Sequence, residues 1–101
     1  MYMSVRQYEN VSNPRGLGQH FREDFAPLIS AVPGFVGYYL TDTGNGKVLA
    51  TSIFDSKANA DESNRVASDW VKKNPGVLPT ATHVVTGEVI GEKTKVAIGV
   101  K

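Results

Sequence analysis

Two histidines, the adjacent pair Tyr38 and Tyr39, and the sole tryptophan are the side chains here with types suited to chemistry. His83 opens a β-branched run, and an imidazole with an ordinary pKa of about 6.5 suits proton transfer, so it is the candidate base. A plain strand-end histidine is the simpler alternative. Tyr38 and Tyr39 are neighbours on an extended segment and must point to opposite faces, so one looks towards the helices and any pocket, where a phenol either donates to a quinone-like oxygen or serves structure alone. Trp70 falls on the apolar face of a helical run. It is expected to pack in the core and wall any pocket, its indole N–H seeking a partner. His20 and Asp24 stand one helical turn apart and are able to share a metal ion, but a stable site needs three or more ligands and no further cluster accompanies them. Gly16-Leu17-Gly18 is a fragment of a dinucleotide-binding signature with Phe21 in the third glycine's place, so it reads as loop or helix-start glycine.

These residues need elements to hold them. Tyr2 to Val11 suits a strand. Asn13 followed by Pro14 starts a helix, and Leu17, Phe21, Phe25, Leu28, Ile29 and Val32 recur at helical spacing up to about Ala31. Pro27 inside that stripe costs about 3 kcal/mol in a regular helix, which predicts a kink or restart. Pro33-Gly34 closes the element. Phe35 to Thr43 and Lys47 to Asp55 form an antiparallel hairpin about Gly44-Asn45-Gly46. Ser56 or Asn59 caps a second helix, Asn59 with Glu62 resembling a capping box. Ser63, Val66, Ala67, Trp70 and Val71 form its buried face, and Asn74-Pro75-Gly76 stops it. His83 to Ile90 is a fourth strand, and Thr94 to Val100 is a fifth strand or a tail.

The order β-α-β-β-α-β predicts an α+β, ferredoxin-like sandwich: one four-stranded antiparallel sheet with two helices on one face. A single domain spans 1–101, with its core at about 2–91. Strict alternation puts Phe35 and Tyr39 on one side of the second strand and Val36, Tyr38 and Leu40 on the other. Both sets are apolar, and the returning strand repeats this, with Val48, Ala50 and Phe54 opposite Leu49 and Ile53. A sheet wet on one side alternates more cleanly, so a second copy of the chain is the expected cover.

Composition narrows the function. The 101 residues carry a formal net charge of +1, which gives no electrostatic case for nucleic acid or an anionic membrane. There is no cysteine, which excludes thiolate metal sites and thiol nucleophiles. No apolar run approaches the ~20 residues of a membrane span and no signal peptide is visible, so a cytoplasmic protein is expected. RNA-recognition domains share this element order, and Gly34 to Tyr38 faintly echoes their aromatic motif, but on the second strand rather than the third.

Pro33-Gly34-Phe35-Val36-Gly37-Tyr38-Tyr39, the hairpin end Ser52-Ile53-Phe54-Asp55, Ser63-Asn64, Ala67-Ser68-Asp69-Trp70-Val71 and Gly87-Glu88-Val89 together resemble the antibiotic-biosynthesis-monooxygenase-like (ABM-like) group of dimeric α/β-barrel proteins, over about residues 4 to 91. The resemblance implies a homodimer whose sheets pair into a barrel, with a pocket in each subunit between sheet and helices. Several members of the group oxidise polycyclic aromatic or polyketide-like compounds with molecular oxygen and no metal or flavin. In that chemistry the substrate supplies the electrons, and the protein supplies an apolar pocket, hydrogen-bond donors and sometimes a base. On that footing His83, Tyr38 and Tyr39 are the catalytic candidates, Trp70, Phe25 and Phe54 the pocket lining, and no cofactor is expected. Asn10, Trp70 and His83 match the residue types of haem-degrading members, but Trp70 lies late in its helix and His83 beyond it, which sets haem degradation behind. A non-catalytic protein of the same fold that binds a small molecule or assembles is the alternative.

Overall fold

The computed structural model describes residues 1–94. Strand β1 (Tyr2–Tyr8) is followed by helix α1 (Pro14–His20), a π-helical turn (Phe21–Phe25) and helix α2 (Ala26–Ser30). The hairpin β2 (Phe35–Gly44) and β3 (Lys47–Phe54) comes next, then α3 (Lys57–Lys73) and β4 (His83–Glu88). The sheet order is β2-β3-β1-β4, all pairs antiparallel, and the helices cover one face. This is the expected ferredoxin-like arrangement. The alternatives for Thr94 to Val100 lie, beyond Thr94 itself, outside the described residues.

The local chemistry explains the elements. The Asn13 side chain accepts from the Gly16 N–H at 3.1 Å and Pro14 takes the first helical position. Pro27 has no N–H to give, and its ring crowds the carbonyl four residues back. The widened turn ahead of it relieves that conflict: the Ala26 N–H reaches back five residues to the Phe21 carbonyl, and α2 restarts with Pro27 in its first turn. The apolar stripe survives this insertion only in part. Leu17, Phe25, Ile29 and Val32 are buried, whereas Leu28 is turned half outward. Ser56 caps α3, its hydroxyl accepting from the Asn59 N–H, so the capping box at Asn59 is not formed. The Asn59 side chain instead donates to the Asp55 carboxylate.

A bulge between Phe35 and Gly37 corrects the alternation expected for β2. It shifts the phase by one residue, so Phe35 joins Tyr38 on the helix-covered face, packing edge-on against Phe54 at 5.8 Å, and does not share a side with Tyr39. The opposite face carries Tyr39, Leu49, Thr51, Ile53, Met3, Val5 and Val85, with Tyr39 and Val85 each 63% exposed. Strand β1 reverses the usual logic: its polar residues Ser4 and Arg6 point under the helices and are fully buried, while Met3 and Val5 face the open side.

Two apolar clusters fill the layer between sheet and helices. One is built on Phe25, Ile29, Phe54 and Trp70, the other on Tyr8, Leu17, Val48 and Leu78. Tyr38 and Val71 pack against both, which places Tyr38 where the two halves of the core meet.

Candidate functional site

The helix-covered face of the sheet holds an aromatic cluster. The π-helical turn projects Phe21 and Phe25 towards β2. Phe21 stacks on Tyr38 with ring centroids 4.8 Å apart and planes 18° from parallel. Phe25 meets Tyr38 and Trp70, each at 5.5 Å. Such tilted and stacked pairs add about 0.5–1.5 kcal/mol each beyond area burial. Between them and Tyr8, Leu17, Leu40 and Val71 lies an apolar slit of about 20 Å³, room for one water.

The Tyr38 hydroxyl leaves this apolar wall and enters a polar network. It accepts from Arg6 Nη2 at 3.2 Å, and no acceptor for its own proton is found among the described residues. Arg6 Nη1 donates to Asn64 Oδ1 at 2.6 Å, and the same oxygen accepts from Ser4 at 2.8 Å. Asn64 donates to Thr86, which donates to Ser4, closing the ring of contacts between β1, β4 and α3. Arg6 is 2% exposed, its Nε–H has no acceptor, and no carboxylate pairs with it among the described residues. The Ser52 hydroxyl, across the sheet from both Ser4 and Tyr38, is likewise buried without a partner. Burial raises the Tyr38 pKa above the ordinary phenol value, with the Arg6 charge pulling the other way.

Two wider spaces flank the slit. One, of about 360 Å³, runs between α1 and β2 past Phe21, Arg22, Tyr38 and Leu40. The other, of about 210 Å³, lies between β1, β4 and α3, and shares Tyr8 and Val71 with the slit.

The predicted residues divide accordingly. Tyr38 is the tyrosine that faces the helices, and Tyr39 faces the open side. Trp70 and Phe25 line the slit, whereas Phe54 is fully buried in the core and does not line it. His83 is not brought to the slit. It pairs with Gln7, which points away from the helices, and it is exposed, with Nδ1 3.4 Å from the Thr82 hydroxyl. His20 and Asp24 approach to 3.5 Å on the surface, and no group of three potential metal ligands occurs among the described residues. Arg6, Asn64, Ser4 and Ser52 were not singled out for chemistry by sequence reasoning. For Ser4 and Arg6 the sequence signal is a polar pair on the alternate face of a strand, which reads as a solvent-facing set; Asn64 on α3 and Ser52 on β3 carry none.

No helix of the described residues is long and apolar enough to cross a membrane. No family model and no curated protein matches the chain. Solved structures do. A protein of Chloroflexus aurantiacus assigned as an antibiotic biosynthesis monooxygenase superposes with a TM-score of 0.65 at 13% identity, covering 92% of this chain and 96% of that one. The monooxygenase of the ActVA-Orf6 gene of Streptomyces coelicolor, in complex with nanaomycin D, gives 0.65 at 16% identity, covering 93% and 91%. A variant of MhuD with two manganese protoporphyrin IX molecules per active site gives 0.71 at 17% identity, covering 94% and 100%. With four antiparallel strands, helices on one face and these neighbours, the chain has the ABM-like fold, that of the antibiotic biosynthesis monooxygenase structures.

Proposed function

We propose that the chain binds a planar aromatic or polyketide-like small molecule between sheet and helices and oxidises it with molecular oxygen, without a metal or flavin. The observation that supports this reading most directly is Tyr38: its ring forms part of an aromatic wall while its hydroxyl, fixed by Arg6, keeps a proton to donate. A phenol so placed hydrogen-bonds a ligand carbonyl or enol oxygen where negative charge develops as the substrate loses a proton. The balanced reaction for an anthrone is one ring CH₂ oxidised by one O₂ to a carbonyl, with the second oxygen atom leaving as water. The Streptomyces coelicolor monooxygenase of this fold, in complex with nanaomycin D, supports a small-molecule ligand for the fold.

Phe21 stacks on Tyr38 where a flat ligand ring fits, so binding moves Phe21 aside and joins the slit to the groove along α1. Trp70 and Phe25 form the remaining walls. His83 takes no part in this cavity. The apolar open face, carrying Tyr39, Val85 and Ile53, is covered by a second copy, giving a homodimer.

The small volume of the slit also favours a second reading, a protein that binds such a ligand without turnover. Oxygen uptake with anthrone and a naphthoquinol, alongside quenching of the sole tryptophan, separates the two. Acceleration above the buffer rate that falls at least tenfold in Tyr38→Phe is the result expected. Quenching without acceleration leaves only the binding reading, and absence of quenching removes both.

A further inference from the structure

The cavity of about 210 Å³ beside the slit has a charge pattern that the aromatic reading does not use. Arg6 and Lys72 line it with Asn64, Ser68 and Thr80, and no carboxylate does. Removing a guanidinium from water costs several kcal/mol unless an opposite charge or a full set of acceptors replaces the water. Arg6 has neither: it meets the neutral oxygens of Asn64 and Tyr38, its Nε–H is unmatched, and no acid pairs with it among the described residues. The network around it is oriented to hold it there. Asn64 turns its oxygen to Arg6 and Ser4 and its amide to Thr86, so Asn64 is fixed from the sheet side.

We infer that this cavity is an anion subsite, taking a carboxylate or ionised enol oxygen attached to the ring system of the ligand, with Arg6 as its counter-ion and Lys72 at its mouth. The charge argument rests on Arg6 alone. The aromatic remainder of the ligand rests on the reading given above, because Tyr8 and Val71 belong to both cavities and connect them. About 210 Å³ is smaller than the roughly 300–1,000 Å³ that encloses a drug-sized molecule, so it suits a head group whose rings extend into the slit.

The test compares 2-naphthoate, neutral 2-naphthalenemethanol and acetate by quenching of Trp70 and by thermal shift at pH 7. For the wild-type protein 2-naphthoate is expected to bind at least tenfold more tightly than the alcohol. Arg6→Met is expected to abolish that preference while retaining the alcohol, and Lys72→Met, on the exposed side of α3, to reduce it several-fold. Equal affinity for naphthoate and alcohol in the wild type overturns the anion subsite and leaves the aromatic pocket standing. Acetate alone protecting the protein as well as naphthoate, with the alcohol silent, supports the subsite and removes the aromatic reading. Silence from all three probes overturns both. Should Arg6→Met fail to fold, the wild-type comparison and Lys72→Met still decide.

Discussion

Arg6 and Tyr38 meet inside the protein with no acid between them. The guanidinium donates to the phenol oxygen at 3.2 Å, and its central carbon lies 5.8 Å from the centre of the tyrosine ring. The contact joins the middle of β1 to β2 across β3, whose Ser52 lies between them with an unmatched hydroxyl.

Replacing Tyr38 with Phe removes the acceptor of one charged N–H of a side chain that is 2% exposed. A loss of about 1–3 kcal/mol in urea-induced unfolding is expected. The ring stack with Phe21 is retained, so the fold and its circular dichroism remain.

Tyr38 also sets a pH dependence. Burial holds its proton above the ordinary 10.0, more than Arg6 lowers it, so the folded state keeps a proton that the unfolded chain releases. The associated stability is present in full below about pH 10 and is lost as the pH rises from there through the raised value. Wild type is expected to lose stability over that window more steeply than Tyr38→Phe. Parallel profiles for the two proteins contradict the assignment.

Arg6→Met is expected to leave unfolding stability unchanged, or to raise it by about 1–2 kcal/mol, in the absence of ligand. A buried charge without a counter-ion costs more than an apolar chain of similar length in the same place. A loss above about 3 kcal/mol in the same urea assay shows that the arginine is held for the architecture of the sheet.

The open face gives a prediction on assembly. A dimer seated on Tyr39 and Val85 does not tolerate a charge at its centre, so Val85→Lys is expected to sediment as a monomer at micromolar concentration where wild type sediments as a dimer. A monomeric wild type at that concentration contradicts the proposed homodimer.

Ser56→Ala tests the start of α3. The hydroxyl satisfies the Asn59 N–H at 3.2 Å, and its removal is expected to cost about 1 kcal/mol in thermal unfolding. Replacing Glu62, the partner expected in a capping box, is expected to have less than half that effect, since it pairs with Arg65 on the surface instead.

The aromatic wall was legible in the sequence because its members obey periodicity. Phe25 sits four residues before Ile29 on the apolar stripe, and Trp70 sits three after Ala67, so both point inward by helical spacing alone. Tyr38 against Tyr39 was undecidable, because the bulge at Val36 shifts the phase of β2 and nothing in Phe35 to Leu40 announces it. Arg6 and Ser4 were invisible for the opposite reason. Periodicity assigns polar residues outward, and β1 is a central strand whose polar set lies under α3. The side of the sheet that His83 faces was not legible either, because it depends on the register with Gln7, which only pairing reveals.

The widened turn at Phe21–Phe25 has a bearing on genealogy. A π turn holds one residue more than an α turn, so Leu17 and Ile29 are out of step by about 100° relative to an unbroken helix. A homologue with a regular helix is shorter by one position here, and an ungapped alignment through this stretch matches either the α1 half or the α2 half, never both. Placing that single gap between Leu17 and Ala26 brings the two halves into common phase.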